Sequence, residues 1–293
     1  MSIIGNAIML GGGGSSSSGG ELKAFIEDHG TLTSVDDAVA STISYVGPGA
    51  FAYCNSLTAV SFPACTTISS YAFWACQNML SASFPECTNI GIGAFSACSK
   101  LKTISFPKCT TIASSAFGYC SALTSVDFPS VTAIYHGAFS NCSKLKTLSF
   151  PLCVTINWCA FYLCSSLATV SFPKARTVSG SAFALCYSLK TCILSATATP
   201  SFIGSYAFSR CTNLLSLYLL SNKIYPLSNV NAFSSTPISD YTTSTGGVQG
   251  SIFVLSSMLA TYKAATNWAT YSARMVGLTA AQVSKVLASG THL

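Results

Sequence analysis

The sequence predicts a repeat solenoid in which each coil of about 22 residues supplies one parallel β-strand. Three features predict this fold: an Ala-Phe pair that returns every 22 residues, a Cys three residues after most of these Phe residues, and a Pro that follows an apolar segment. A single unit of this size cannot bury its own apolar side, whereas stacked units bury one continuous core.

The Phe of the Ala-Phe pair is the most regular position. Seven of these residues follow one another at intervals of 22, and two more follow at intervals of 25: Phe51, Phe73, Phe95, Phe117, Phe139, Phe161, Phe183, Phe208 and Phe233. Counted from each Phe, position +3 is Cys in eight units: Cys54, Cys76, Cys98, Cys120, Cys142, Cys164, Cys186 and Cys211. We expect both columns to point into the core.

The strand of each coil is predicted from positions +6 to +11. Positions +9 and +11 are apolar, as in Val60 and Phe62, and this alternation is typical of a half-buried strand. The Pro at +12, as in Pro63, has no N–H and ends the strand. An Ile or Val at +17 begins the return path, where the Ala-Phe-x-x-Cys segment is expected to form a short helical or 3₁₀-like turn. Nine coils would extend about 43 Å.

The composition excludes other classes of protein. Of the 293 residues, 50% are hydrophobic and only 8% are charged, with a mean hydropathy of +0.51. No segment approaches the roughly 18 consecutive apolar residues that a membrane-spanning helix needs, so we expect no membrane span. Ser, Thr and Gly interrupt the apolar residues, and so many apolar groups exclude disorder. The polar surface should consist mainly of hydroxyl groups.

These repeats resemble a known family. The unit Cys-x-x-Leu-x-x-Val-x-Phe-Pro-x-Cys-x-x-Ile-x-x-x-Ala-Phe is similar to the BspA-type leucine-rich repeat of bacterial surface proteins, some protozoan proteins and phage-associated proteins. The resemblance covers about residues 44–236, and residues 251–278 resemble the C-terminal ending of such proteins. It implies a right-handed leucine-rich-repeat superhelix, adhesion and protein binding. Two late departures, Ser195 at the Pro position and Thr236 at the Cys position, predict that the final coils are less regular.

The flanks suggest four segments. Residues 1–20 form an apolar leader and a Gly/Ser tether, 21–43 an N-terminal cap, 44–236 the solenoid and 237–293 a C-terminal cap with helices. Leu22, Phe25 and Ile26 have helical spacing, so a short helix is expected at Glu21–His29. The C-terminal cap should contain helices over residues 257–274 and 279–287, the second opened by Thr279 and Gln282 as a capping box.

The fourteen cysteines form ladders rather than clusters. Thiols one coil apart would lie about 5 Å apart at Cα, which is within disulfide range, but stacked side chains keep their Cβ atoms farther apart than the roughly 3.8 Å that a disulfide needs. The expected state is therefore a column of buried free thiols at +3. A second, partial column at +14 is expected to behave in the same way: Cys65, Cys87, Cys109 and Cys153.

Catalytic and metal-binding patterns are missing from the sequence. The chain has three histidines, and His136, the one within the repeats, is expected to be exposed. Between Ala38 and Ser239 the acids are Glu86 and Asp127, too far apart in repeat phase for a catalytic carboxylate pair. No Cys-x-x-Cys or His-Glu-x-x-His occurs. We predict no enzyme, no catalytic residue, no metal site and no cofactor.

Basic residues accumulate in the repeats. Between Ala38 and Ser239 ten Lys or Arg residues face two acids, within a net charge of +6 for the whole chain. Lysines at +5 and +7 recur every second coil and would lie about 10 Å apart along one surface. The candidate ligand-binding residues are Lys100, Lys102, Lys144, Lys146 and Lys190, with Asp127 on the outward side of a strand. They suit an anionic glycan or an acidic protein patch, or serve only solubility; nucleic acid is not expected.

The outward strand positions, +8 and +10, are nearly all Ser or Thr, from Ala59 and Ser61 to Thr169 and Ser171. Such a surface offers many weak hydrogen bonds, which suits multivalent contacts with glycans or proteins. Aromatic residues just after the repeat Phe are either binding anchors or packing groups for neighbouring turns: Tyr53, Trp74, Tyr119 and Tyr162.

We therefore expect a non-enzymatic adhesion module that binds a surface glycan or protein through the solenoid. No Sec signal is recognised in the first residues, so cytoplasmic synthesis and non-Sec release or assembly would precede an extracellular or particle-associated location. That pattern favours an alternative: residues 1–20 dock the chain onto a larger particle, such as a phage tail or fibre, with the repeats as the receptor-binding tip. A third class is a structural element that polymerises through its ends.

Overall fold

A computed structural model describes residues 20–22, 32–35, 37–239 and 248–289. The chain divides after Leu145 into two compact units, Met1–Leu145 and Lys146–Leu293. In each unit, parallel strands pair with strands one coil further along the chain, so the predicted solenoid is confirmed.

The described residues of the first unit form ten strands and one short helix, α1, at Asp37–Ala40. The strands are β1 Gly20–Leu22, β2 Ile43–Val46, β3 Ala59–Ser61, β4 Thr67–Ile68, β5 Ser81–Ser83, β6 Asn89–Ile90, β7 Thr103–Ser105, β8 Thr111–Ile112, β9 Ser125–Asp127 and β10 Ala133–Ile134. Strands β3, β5, β7 and β9 form one parallel ladder, and β2, β4, β6, β8 and β10 form another.

Each coil thus contributes a second strand besides the predicted one. In the predicted ladder Val60 pairs with Ala82 and Ala82 with Ile104, and these residues are buried. The second ladder contains the residue at +17, so that Ile68 pairs with Ile90 and is fully buried. The return path thus begins with a two-residue strand. Its buried Ile and its backbone pairing with the next coil keep it in place.

Two columns of stacked rings fill the core of the first unit. Rings one coil apart in the repeat Phe column, from Phe51 to Phe139, have centroids 5.0 to 5.5 Å apart and nearly parallel planes. The strand column, from Phe62 to Phe128, has spacings of 5.5 to 5.9 Å. Rings of the two columns meet at tilted or edge angles, a favourable aromatic geometry. The same rings thus bind each coil to the next and the two sides of a coil to each other.

The predicted helical turn around each repeat Phe is instead a series of hydrogen-bonded turns. Two residues per coil, at −2 and +2, have left-handed backbone angles that interrupt a helix, as at Tyr71 (φ 61°) and Ala75 (φ 58°). Turn bonds within the coil, such as Cys76 N–H to Phe73 O at 3.3 Å, alternate with bonds to the next coil, such as Phe73 N–H to Ala94 O at 2.7 Å. Val230–Phe233, in the last repeat, does form a 3₁₀ helix.

Gly91 is required by close contact between coils. A Cβ atom at this position would lie 2.4 Å from Ser70 N and 2.5 Å from the carbonyl carbon of Ser69. Both are backbone atoms of the preceding coil, which cannot withdraw without breaking the ladder. A side chain at position 91 would therefore separate two coils.

The second unit continues the same pattern and ends in helices. Its strands are β11 Thr147–Ser149, β12 Thr155–Ile156, β13 Thr169–Phe172, β14 Thr177–Val178, β15 Thr191–Leu194, β16 Phe202–Ile203, β17 Ser216–Leu219, β18 Ser251–Leu255 and β19 Met275–Leu278. The helices are α2 Leu259–Ala264 and α3 Ala280–Ser289, with 3₁₀ helices at Val230–Phe233, Pro237–Ser239, Ser256–Met258 and Ala269–Arg274.

Helices cover the last coil, but the one predicted over residues 257–274 is broken at Ala265, whose extended backbone (ψ 146°) separates α2 from the 3₁₀ helix at Ala269–Arg274. Trp268 is fully buried, its ring lies 5.9 Å from that of Phe233, and its Nε1–H donates to Tyr225 O at 2.6 Å. The hydroxyl of Tyr271 donates to Val230 O. The capping box of α3 is also present, since Thr279 N–H donates to Gln282 Oε1 at 2.9 Å. The aromatic column therefore ends against protein.

The helix expected at Glu21–His29 is wrong at its start. Glu21 and Leu22 belong to β1, which pairs in parallel with β2, because the edge of β2 offers unpaired backbone groups that a strand can satisfy. Residues 23–31 lie outside the described residues, as do residues 1–19 of the predicted leader and tether. The four proposed segment boundaries stay predictions.

Candidate functional site

The outward side of the predicted strands forms a flat surface of small polar side chains. We call it the strand face; in the first unit it comprises Ala59, Ser61, Ser81, Ser83, Thr103, Ser105, Ser125 and Asp127. Apart from Ser125, which is half-buried, all are exposed. Because register pairs Ser61 with Ser83 and Ser83 with Ser105, hydroxyl groups repeat once per coil. The face can therefore contact a ligand at several equivalent points.

Lysines border the strand face at the start of the strands. Lys100, Lys102 and Lys144 are exposed in the first unit, and Lys146 and Lys190 are exposed in the second. The backbone of Lys102 is fixed on both sides, since its N–H donates to Leu80 O at 3.1 Å and its O accepts from Thr124 N–H at 3.1 Å. Its ammonium group has no ion-pair partner among the residues that the structure describes.

The two acids of the repeats have different surroundings. Glu86 pairs with Lys108 across one coil, at 2.5 Å between Oε2 and Nζ. Asp127 lies at the far end of its strand from the lysines, since it pairs in register with Ser105 whereas Lys102 precedes Thr103. The structure thus places Asp127 on the strand face but does not bring it onto Lys102.

A shallow groove of about 360 Å³ lies at the N-terminal end of this face. It runs between the segment that contains Ser34 and Asp37 and the strands β3 and β5, with Ser61 and Ser83 in its wall. No pattern in the sequence predicted this groove, because the contact of Ser34, Val35 and Asp37 with the strands follows from no repeat position. Its walls add one carboxylate to a hydroxyl-lined surface.

In the second unit part of the strand face is covered. Ile193 and Tyr218, at the +10 positions of β15 and β17, are buried with Leu278 and Val286 beneath α3. The exposed outward positions are those of β11 and β13: Thr147, Ser149, Thr169 and Ser171. The apolar residues at positions where other coils have Ser or Thr were a sequence signal for this cover.

The predicted columns of buried thiols are confirmed. All fourteen cysteines are free and thirteen are buried. The thiols of the +3 column donate to the carbonyl of the repeat Phe of the preceding coil, as from Cys98 Sγ to Phe73 O at 3.1 Å and from Cys120 Sγ to Phe95 O at 3.2 Å. Those of the +14 column donate two residues ahead, as from Cys109 Sγ to Thr111 O at 2.8 Å. The thiols in these bonds thus act as donors to backbone carbonyls.

Burial makes these thiols poor nucleophiles. Desolvation raises the pKa of Cys54 and Cys87 to about 12 and that of Cys109 to about 11, with neighbouring thiols adding to the increase at Cys54 and Cys87. A thiol that stays protonated neither attacks an electrophile nor binds a metal. Within the described ranges, no three His, Cys, Asp or Glu residues are grouped so that they could hold a metal ion. His136 is exposed, as expected.

The predicted aromatic positions are mostly exposed. Tyr53, Trp74 and Tyr119 are on the surface, whereas Tyr162 is half-buried. Tyr53 also packs against Trp74, with ring centroids 4.7 Å apart, so the ring is exposed and also packs on a neighbouring turn. Exposed aromatic residues ahead of the repeat Phe were missed, because their positions differ from coil to coil: Tyr71, Tyr135, Trp158 and Tyr206.

A family model that matches most of the chain decides which family the protein belongs to. The model of the BspA type leucine rich repeat region matches six copies over residues 23–146 and 132–257. The chain belongs to this family. The BspA-type leucine-rich repeat therefore accounts for the 22-residue coils, and leucine-rich repeat proteins commonly bind proteins or surfaces. Among the curated proteins, none matches this chain.

Solved structures of bacterial leucine-rich repeat proteins are similar. A leucine rich cell surface protein of Faecalibacterium prausnitzii shares 22% identity and a TM-score of 0.50, over 67% of this chain and 63% of that one. A leucine-rich repeat protein of Eubacterium ventriosum shares 27% identity and a TM-score of 0.46, over 55% of this chain and 43% of that one. A leucine-rich repeat protein of Bacteroides ovatus shares 19% identity and a TM-score of 0.38, over 85% of this chain and 84% of that one. The first of these supports the fold. The chain matches less than two thirds of the length of the first two.

The length and polarity of the helices decide whether they could cross a membrane. Within the part of the chain that the structure describes, every helix is too short or too polar to cross a membrane.

Proposed function

We propose that this BspA-type chain is a non-enzymatic binding module that recognises a surface glycan or protein through its strand face. The observation that carries the proposal is the in-register row of exposed hydroxyl groups bordered by exposed lysines, Lys100, Lys102 and Lys144 in the first unit and Lys146 and Lys190 in the second. Asp127 belongs to the same surface. Its proposed setting is extracellular or particle-associated.

The chemistry of the face favours an extended anionic ligand. Small hydroxyl side chains leave the surface flat and provide no deep anchor, so affinity must come from many contacts of similar strength. The lysines add positive charge at one end of the strands, where the described part of the first unit has no acid paired with Lys102. A sulfated or sialylated glycan, or an acidic patch of a protein, meets both conditions.

Catalysis has little support from the side chains present. The thiols are the most numerous potential nucleophiles, and burial holds their pKa high, as at Cys153, where it rises to about 12. His136 lies on the surface outside the thiol columns, and Asp127 and Glu86 lie on different coils. A nucleophile held against a base, which covalent catalysis needs, is not formed by these groups.

Replacing Lys102 with serine should weaken binding to heparin, a sulfated polysaccharide, by roughly twofold to fivefold, because one exposed charge contact is lost. Affinity measured by calorimetry at 50 and 300 mM NaCl should also fall with salt for the wild type and less steeply for Lys102→Ser.

Lys108→Ser is the matched control for this prediction. It removes the same charge from the same unit, but Lys108 follows the strand and is engaged by Glu86. Equal effects of Lys102→Ser and Lys108→Ser would show that only net charge matters, and the strand face would lose its assigned role.

The alternative role, as a structural or receptor-binding component of a larger particle, concerns residues 1–20. It rests on their apolar and Gly/Ser sequence. A chain lacking residues 1–20 should keep its binding to the surface ligand but fail to enter the particle, as followed by co-sedimentation with assembled particles. Incorporation at the wild-type level would remove this alternative.

A further inference from the structure

The turns around the repeat Phe residues carry a second surface in the first unit. We call it the turn face; it comprises residues 47–53, 69–75, 91–97, 113–119 and 135–141. These segments contain no Asp, Glu, Lys or Arg. Six large side chains on them are exposed by 36 to 61%: Tyr53, Tyr71, Trp74, Ile92, Tyr119 and Tyr135. The turn face is therefore uncharged and rich in aromatic rings, unlike the strand face.

Three of these rings form a fixed cluster. The centroid of Trp74 lies 4.7 Å from that of Tyr53 and 6.0 Å from that of Tyr71. A Cβ atom at Gly93 would lie 2.6 Å from Cε1 of Tyr71, so the Tyr71 ring packs closely against the backbone of the next coil. Each ring is held by neighbours and still exposes at least a third of its area. The cluster is ordered before any ligand arrives.

Backbone strain accompanies this exposure. Tyr53, Tyr71 and Tyr119 have φ of 61°, a left-handed conformation that is unfavourable for bulky residues. Position −2, which Tyr71 occupies, is Gly in three other coils of this unit: Gly49, Gly93 and Gly137. Glycine, which tolerates this conformation, thus occupies the −2 position of three coils, whereas the coil of Phe73 has an exposed tyrosine there. Because left-handed residues recur at −2 and +2 in coil after coil, the turns hold these side chains at fixed positions on the surface.

Amide side chains follow the cluster along the chain. Asn55 comes two residues after Tyr53, and Gln77 and Asn78 come shortly after Trp74. The side chains of Asn55 and Asn78 are held between coils, since Asn55 Oδ1 accepts from the backbone N–H of Gln77 at 3.2 Å and Asn78 Nδ2 donates to Asn55 O at 2.7 Å. An amide can donate to one hydroxyl group and accept from another. Aromatic rings and amides thus follow one another closely along two successive coils, without any formal charge.

We propose that the turn face of the first unit binds a neutral polysaccharide, with Tyr53, Tyr71 and Trp74 as the stacking platform. Aromatic rings have a negative face, which attracts the positively polarised C–H groups on the face of a sugar ring. The amides and the serines of the turns suit the sugar hydroxyl groups. Tyr53 and Tyr119 are three coils apart, about 14 Å, so the surface fits a chain of several sugars.

The absence of charge in these five segments separates this ligand from other classes. The turn face has no Lys or Arg to pair with a sulfated glycan. For the same reason it cannot hold the anionic headgroups of a membrane surface. The proposal goes beyond the strand-face function, because it concerns a different surface and a ligand of different charge. The two can therefore fail separately.

The test is affinity electrophoresis of the intact chain in native gels that contain β-glucan, xylan, galactomannan or dextran. At least one of these neutral polysaccharides should retard the wild type, equally at 50 and 300 mM NaCl, since no charge contact is involved. Trp74→Ala should weaken this binding about tenfold, the effect of losing one aromatic anchor. Lys102→Ser should leave it unchanged.

Tyr71→Gly separates binding from folding. It should weaken polysaccharide binding while leaving the melting temperature unchanged or higher, because glycine relieves the left-handed backbone. Tyr206→Gly is the matched control, since Tyr206 is a −2 residue of the second unit, exposed by 47% with φ of 58°; it should bind like the wild type.

Three results would overturn the proposal. They are the absence of retardation by all four polysaccharides, equal binding by Trp74→Ala and wild type, and a dimer in sedimentation that Trp74→Ala dissociates. The last result would make the turn face a contact between two copies of the chain.

Discussion

Replacing Phe106 with alanine is expected to lower the free energy of unfolding by about 3 to 5 kcal/mol. Phe106 is fully buried, and its ring lies 5.5 Å from that of Phe84, 5.9 Å from that of Phe128 and 6.0 Å from that of Phe117. Backbone ladders on both sides hold the coils at their spacing, so the cavity cannot close. Guanidinium unfolding followed by circular dichroism measures the loss.

Tyr119→Ala is the control for the Phe106 variant. It also removes an aromatic ring from the first unit, but that ring is 61% exposed, so the midpoint should move little. Phe106→Leu should fall between the wild type and Phe106→Ala, because it keeps most of the apolar volume. Similar midpoints for Phe106→Ala and Tyr119→Ala would contradict the continuous aromatic core.

Stability is expected to fall steeply above about pH 9, without a disulfide being involved. Burial raises the pKa of Cys65 to about 11 and that of Cys142 to about 12, above the value of 9.0 for a free thiol. Between these values the unfolded chain loses thiol protons that the folded chain keeps, so alkali favours unfolding. Each such thiol lowers the free energy of unfolding by about 1.4 kcal/mol per pH unit. Denaturant midpoints at pH 7, 9 and 10.5 measure the slope.

Two controls isolate the thiols. Cys142→Ala should be less stable at pH 7 but should lose stability less steeply between pH 9 and 10.5. Iodoacetamide without reductant should leave the buried thiols of the folded protein unmodified at pH 8 and should label all fourteen cysteines after denaturation. Stability that stays level to pH 10.5, or cysteines that resist labelling when denatured, would refute the ladder of protonated thiols.

The repeat positions that bury side chains could be predicted from the sequence. Phe106, Cys98 and Leu101 recur in phase because every coil has the same inward volume to fill, so composition and spacing both report it. The second strand of each coil, such as Thr67–Ile68, has only two residues and is too short to show alternation. The left-handed turn residues were hidden for another reason: Tyr53 and Ala75 occupy positions where glycine would have been the signal.

The surface was less predictable than the core. Exposure of Lys102 and Asp127 followed from repeat phase, whereas the groove at Asp37 depends on a contact outside the repeats. The helix α3 covers Ile193 and Tyr218, and these apolar outward residues were the visible sign of that cover. Clustering of Tyr71 with Trp74 could not be foreseen, because it depends on the path of two turns within one coil.

The bonding of the thiols bears on where this protein can mature. Each hydrogen bond of the +3 column, such as that from Cys76 Sγ to Phe51 O at 3.0 Å, has a protonated thiol as its donor. Such a chain needs neither oxidative folding nor an isomerase, and glutathione has no bridge to reduce. Its fold therefore sets no redox requirement on the compartment in which it forms.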